Sequence, residues 1–330
     1  MANEVFSPKD FKAWVIEEAT PGTAPTFTSG LYQLDVDSVA FPSLNPTQVL
    51  NMRTRAGRVF HKDDFFQDNE MRVVEVSLSG TLHKDGGHAL LLQNVAGNTM
   101  TPDSLADITI ATAQTGISGK YGTAQANATF TLVLAPPDTT GGFNTVLTGC
   151  VCTSFEITAE AGSEGGLYKW SATISTGFNP TTNDTTTEAG ATWDGGLISI
   201  NTLGTKKIAG LTSPVMSSFG LTIESPAVYS GFSSNGYEAF GRGEEIAVTA
   251  NASVKYDALT KSLYHNFNTQ TAYTADDWLL LTQSTASNYS ISILNGILTD
   301  VTFNEGDMMM LDVGLKAVTD GDDLLTIDIT

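Results

Sequence analysis

The chain has 330 residues, 41% of them apolar, which is enough for two ordinary cores and too apolar for global disorder. Charge is sparse and one-sided: 36 acids stand against 16 bases, a formal net charge of −20 at pH 7. That balance excludes a protein that grips nucleic acid, because phosphate binding needs Lys and Arg, but it permits one that sits beside nucleic acid without holding it.

The first residues, Met1 to Pro8, show neither a basic n-region nor an apolar h-region, so no signal peptide is expected. No run of about 18 apolar residues occurs, and no membrane contact is predicted. Ala13–Glu17 and Leu31–Val36 are the first predicted strands. Pro42–Asn69 reads as a long loop that holds Arg53, Arg55, Arg58 and Lys62 with the aromatics Phe60, Phe65 and Phe66. Long loops in compact domains are usually functional. Over Arg72–His83 the pattern alternates: Val74, Val76, Leu78 and Leu82 fall on one face, and Glu75, Ser77, Ser79, Thr81 and His83 on the other. Period two predicts a half-buried strand. A short helical run, His88–Asn94, follows and stops at Gly97.

Thr129–Leu134 is the next predicted strand. Cys150 and Cys152 share one strand face, a placement from which a single strand cannot easily close a bridge, so both are expected as free, partly buried thiols. Phe155 and Ile157 oppose Ser154, Glu156, Thr158 and Glu160. Tyr168, Trp170, Ala172 and Ile174 oppose Lys169, Ser171, Thr173 and Ser175. Thr181–Gly210, rich in Thr and Gly, reads as a linker, with Leu197–Ile200 as a candidate strand inside it.

Phe219–Ile223 opens a second series. Pro226–Gly243 is a loop with Tyr229, Phe232, Tyr237 and Phe240 among Gly and Ser. Glu244–Lys255 alternates, with Ile246, Val248, Ala250, Ala252 and Val254 on one side and Thr249, Asn251, Ser253 and Lys255 on the other. Thr260–Asn266 is a second short helical run, and Tyr289–Leu294 a strand. Val301 and Phe303 oppose Asp300, Thr302 and Asn304; Leu311, Val313 and Leu315 oppose Asp312, Gly314 and Lys316. Leu325–Ile329 closes the chain.

The two series repeat. Val76–His83 aligns without a gap on Val248–Lys255, with the phase of the alternation kept, and the helical runs follow at the same spacing. Leu34–Ser38 answers Leu221–Ser225, and Thr153–Ile157 answers Thr299–Phe303. Four segments in one order predict two copies of one mainly β fold, each with one short helix. The boundaries are residues 1–180, a linker or small insertion at 181–210, and 211–330. The polar strand faces admit two readings, an ordinary solvated sheet face and a wall around water.

Chemistry is sought and not found. There is no GxxxxGK[ST] loop, no strand–GxGxxG–helix unit, no HExxH and no GxSxG, so neither an enzyme nor a cofactor is expected. Cys150 and Cys152 with His61, His83, His88 and His265 make no metal-ligand spacing. Asp320 to Asp323 lacks the EF-hand spacing and reads as a solvated acidic turn. Glu156, Glu160 and Glu164 lie along one strand and its turn, without the aromatic cleft that paired carboxylates of a glycosidase need.

Three features resemble the tail tube (major tail) proteins of long-tailed bacteriophages. They are the opening strand Lys12–Glu17 running into a Glu18-x-x-x-Gly22-Thr23 turn; Leu34–Ser38 with the long loop, the Val73–Leu82 strand and its helix; and Gly149–Ile174, a strand pair joined by an acidic Gly-rich turn. The resemblance implies tandem tail-tube-like β-sandwich domains that form a barrel. It also implies stacked rings around a channel that DNA crosses without specific binding, in a virion tail assembled in the host cytoplasm. Some relatives with a fused duplication use three chains for a pseudo-hexameric ring, and the family uses the long loop between rings. On this reading the partners are other copies of the chain, as trimeric rings, and other tail proteins. Arg53, Arg55, Arg58, Phe60, Phe65 and Phe66 are the candidate ring-stacking residues, and Glu75, Glu156, Glu160, Asp300 and Asp312 the candidate lumen-facing ones. The alternatives are a tandem β-sandwich adhesin, which predicts a signal or anchor, another tail or baseplate ring component, and a glycan-binding or hydrolase pair. The last predicts clustered Trp, and Trp14, Trp170, Trp193 and Trp278 are scattered.

Overall fold

The computed structural model describes residues 7–27, 30–42, 47–50, 65–68, 73–83, 86–97, 100, 108–110, 129–136, 144–183, 197–231, 239–242, 246–269, 278–283, 289–306, 308–319 and 323–329. The first half contributes β1 (Lys12–Glu17), β2 (Tyr32–Leu34), β3 (Ser38–Val39), β4 (Thr47–Leu50), β5 (Phe65–Asp68), β6 (Val74–Thr81), α1 (Gly87–Ala96), β7 (Ile108–Ile110), β8 (Phe130–Ala135), β9 (Asn144–Glu160), β10 (Lys169–Thr176) and β11 (Thr181–Asn183). The second contributes β12 (Leu203–Ile208), β13 (Leu211–Thr212), β14 (Met216–Glu224), β15 (Ala227–Ser230), β16 (Ala239–Arg242), β17 (Ala247–Lys255), α2 (Lys261–Asn268), β18 (Leu279–Gln283), β19 (Tyr289–Ile293), β20 (Gly296–Glu305), β21 (Met309–Ala317) and β22 (Leu325–Ile329). The chain is mainly β, as the alternation predicts, with the two short helices where the apolar runs placed them.

One long antiparallel sheet runs β3-β6-β10-β9-β14-β17-β21-β20. Its strand order has a simple grammar. In the first half the sequence β3, β6, β10, β9 appears; in the second, β14, β17, β21, β20. The two series meet where β9 pairs β14, with Ile157 opposite Leu221. The second layer repeats as well: β2-β1-β8-β9-β11 in the first half has the order of β13-β12-β18-β19-β22 in the second. β9 takes part in both layers. Its first residues pair β8 and β11, and beyond the left-handed Gly149 its later residues pair β10 and β14. In the second half the corresponding stretch is broken into β19 and β20. β7, from the first half, adds to β22 of the second, so the halves are interlocked.

The core follows from the alternation. Val74, Val76, Leu78, Phe155, Ile157, Trp170, Ala172, Leu221, Val248, Ala250, Val313 and Leu315 all point from the long sheet into one buried cluster that includes α1. Every residue of α1 is buried. Burial of a Leu or Phe side chain contributes about 1.5–3 kcal/mol, so the apolar face dominates the fold energetically. Gly80 is required by a close approach: a Cβ there would lie 1.8 Å from the Asp35 carbonyl oxygen, so the β2–β3 connection can cross β6 only over a glycine. Cys150 and Cys152 are free, as expected, and fully buried; burial pushes the Cys152 thiol up to about 12, so neither is a nucleophile at neutral pH.

The structure differs from the sequence reading in three respects. The Pro42–Asn69 and Pro226–Gly243 loops each contain a two-stranded hairpin, β4–β5 and β15–β16. Within 181–210, β12 pairs β18, although its burial shows no alternation that sequence could reveal. The alignment of the repeat also slips. Trp170 lies between Gly80 and Ile157, and Val313 between Ala252 and Val301, so Ile157 corresponds to Val301 and not to Phe303. Ser38 opposite Ser79 matches Gly220 opposite Asn251, so Val39, not Leu34, corresponds to Leu221. A period-two pattern is unchanged by a slip of two residues, and Leu34 belongs to β2, beyond the crossing over Gly80.

The polar face of the long sheet as candidate functional site

Hydrogen-bonded register places all five predicted lumen residues on one face. Glu75 stands on β6 beside Ser77 and Ser79, and Ser79, Ser171, Glu156, Thr222 and Thr249 form a cross-strand row through five strands. A second row runs Glu160, Ser218, Ser253, Asp312, Thr302. Asp300 is opposite Gly314, which is opposite Asn251. The apolar residues between these positions are the buried core, so the alternation that builds the core leaves a continuous polar surface on the other side.

This face is acidic. Glu75, Glu156, Glu160, Glu224, Asp300 and Asp312 share it with the lysines Lys169, Lys255 and Lys316. Lys169 is already engaged, 2.8 Å from Glu164. Glu156 accepts a hydrogen bond from Ser171 Oγ at 3.1 Å, and Asp312 one from Asn304 Nδ2 at 3.1 Å. Glu160, Asp300 and Asp312 line one open groove with Ser218, Asn251 and Ser253. No group of three or more His, Cys, Asp or Glu side chains suited to a metal occurs among the described residues. The chemistry available here is electrostatic: small hydroxyls, amides and carboxylates on a rigid sheet.

The predicted stacking residues divide differently. Arg53, Arg55, Arg58 and Phe60 lie outside the described residues. Phe65 and Phe66 are on β5, opposite Leu50 and Val49. The matching hairpin, β15–β16, leans on the first half of the chain. Arg242 at its end donates from Nη1 to the Cys152 and Ser225 carbonyls, both at 2.7 Å, and from Nη2 to Asn94 O at 3.1 Å and Asn94 Oδ1 at 2.9 Å. Desolvation lowers its pKa. Tyr229 of the same hairpin is hydrogen-bonded through its hydroxyl to Ser175 Oγ, at 2.8 Å. Sequence reasoning missed Arg242; its one signal is the lone cation in Gly241-Arg242-Gly243. It also missed the role of Glu18, whose buried carboxylate accepts from Thr129, Thr131 and the Gly22 and Gly149 amides and so holds β1 against β8 and the bend of β9.

A family model described as phage tail tube protein matches residues 12–326. The chain belongs to this family. A search of curated proteins found no match. As a member of a structural family, the tail tube protein is a component of the virion tail, and membership implies self-assembly and contact with other tail proteins. Its large antiparallel sheets suit that role: strands supply rigid surfaces whose edges are ready-made for further pairing.

Proposed function

We propose that this tail tube protein polymerises into stacked rings of three chains, each chain supplying two tube domains, roughly 1–180 and 211–330, around a channel through which DNA leaves the capsid. The observation that carries this reading is the recurring strand order of the long sheet. The first half pairs with the second through β9 and β14, and the ends of the sheet are β3 and β20. These ends correspond to β14 and β9 in the recurring order. A unit that joins its own counterpart in this head-to-tail manner closes into a ring when the rotation per step divides a full turn. Closure also removes edges that would otherwise aggregate.

In such a ring the polar face of the sheet lines the channel. An acidic wall with few lysines gives phosphates nothing to hold, so DNA slides. Residues 181–210 connect the two domains, with β12 belonging structurally to the second. Assembly in the host cytoplasm fits the two free buried thiols.

The decisive experiment is electron microscopy of the purified protein with a mass measurement of single rings. Tubes whose rings contain three chains are expected. Six chains per ring, with 211–330 outside the channel, would overturn the stoichiometry and the second domain's role.

The base-rich segment of the long loop is proposed to contact the next ring, with Arg53, Arg55 and Arg58 meeting acids there. Deleting Asn51–Phe60 is expected to leave a folded protein, by circular dichroism, that forms no tubes. Normal tubes from the deletion variant would rule this contact out.

A further inference from the structure

We propose that the β20 edge of one chain adds antiparallel to the β3 edge of a second copy in a single register, Val301 opposite Val39 and Thr302 opposite Ser38, and that this contact covers α2. The inference rests on the ring reading above and specifies its interface. Its template lies inside the chain. At the β9–β14 junction Ile157 stands opposite Leu221 and Thr158 opposite Gly220. The register of the neighbouring pairs makes Ile157 equivalent to Val301 and Leu221 equivalent to Val39. Transposing the junction onto the two terminal strands gives the stated register without any adjustable choice, and a slip of one residue would turn the buried Val301 and Val39 to the polar face.

Two further observations point to a missing neighbour of this kind. The helices are unequally covered. α1 is buried at every position, and Arg242 and β14 from the second half close over it. α2, its counterpart, fully buries only Leu263 and leaves Tyr264 45% exposed. At the same end of the sheet, Met309, opposite Glu305 of β20, is 48% exposed, and Met308 just before β21 is 64% exposed. The other edge carries the complementary sign. Phe41 is 43% exposed, whereas Ile223, its equivalent two residues beyond Leu221, is fully buried at the internal junction. Exposed apolar side chains at each end of the long sheet suit a contact that buries both, and only a second copy presents the opposite end.

Oxidative cross-linking of assembled protein tests the register. The double variant S38C/T302C is expected to give covalent dimers and trimers on a non-reducing gel, while S38C/L298C, four residues out of register, gives monomers. Hydrogen exchange on the unsubstituted protein checks the same contact independently: within Val39–Phe41 and Val301–Phe303, the amides that do not already pair with β6 or β21 should gain protection when rings form. Rings that form without the S38C/T302C product, or without that protection, overturn the interface and leave the tube reading standing. A protein that forms neither rings nor tubes overturns the tube reading, and this contact with it.

Discussion

Replacing Arg242 with alanine is expected to lower folding stability by about 2–4 kcal/mol. The guanidinium donates to three backbone carbonyls and one side-chain amide oxygen, drawn from α1, β9 and the residue after β14. No carboxylate is hydrogen-bonded to it among the described residues, so its removal strands acceptors and not a counter-ion. Each buried acceptor left without a donor costs about 1–3 kcal/mol, reduced where water reaches the partly exposed site. Asn94 keeps a donor at each atom, the Cys152 amide on Oδ1 at 2.7 Å and the Gly97 amide on O at 3.1 Å, which limits the loss there. Lysine should not rescue, because one ammonium cannot serve a fork of four acceptors. Urea unfolding of the wild type, R242A and R242K measures this directly. A change below about 0.5 kcal/mol in R242A would mean that the clamp between the halves is dispensable.

Reversing charge on the polar face should leave tubes intact and stop DNA. In the triple variant E156K/E160K/D312K three acids of that face become lysines in every chain. The side chains lie at the surface of the sheet, and the hydrogen bonds lost from Ser171 and Asn304 are worth about 0.5–1.5 kcal/mol each, too little to unfold the protein. A single charge pair in water at 4 Å is worth only about 1 kcal/mol, and salt screens it beyond roughly 8–10 Å. The effect comes from repetition. In the proposed channel, lysines ring after ring would each capture phosphate and release counterions, so DNA would bind instead of sliding. Release of DNA from purified particles should stall at low salt and recover as salt is raised. Unchanged release at every salt concentration would show that this face does not line the channel, and the reading of an ordinary solvated sheet face would hold.

Much of this architecture is written in the alternation. Val74, Val76 and Leu78 against Glu75, Ser77 and Ser79 fix which way β6 faces, and the same holds for β10, β17, β21 and the later residues of β9 and β20. A half-buried strand must segregate its side chains at period two, so class, faces and the common side of the five acids are all legible in one dimension. The repeat is legible for the same reason. Its register is not, because two copies of a period-two pattern match equally well after a slip of two, and only the pairing of Trp170 with Ile157 and of Val313 with Val301 distinguishes the alternatives.

What the tertiary structure alone decided concerns contacts between distant residues. β12 has too few apolar residues to announce itself, and it is a strand because β18 supplies its hydrogen-bond partners. Arg242 looks like a solvated loop cation until Asn94, Cys152 and Ser225 are brought around it. The order in which strands lie side by side is set by which edges remain open after the core is filled, and no local pattern records it. Sequence determined the faces of this protein, because side-chain period is a local property; the fold decided its edges, because an edge exists only where a neighbour is missing.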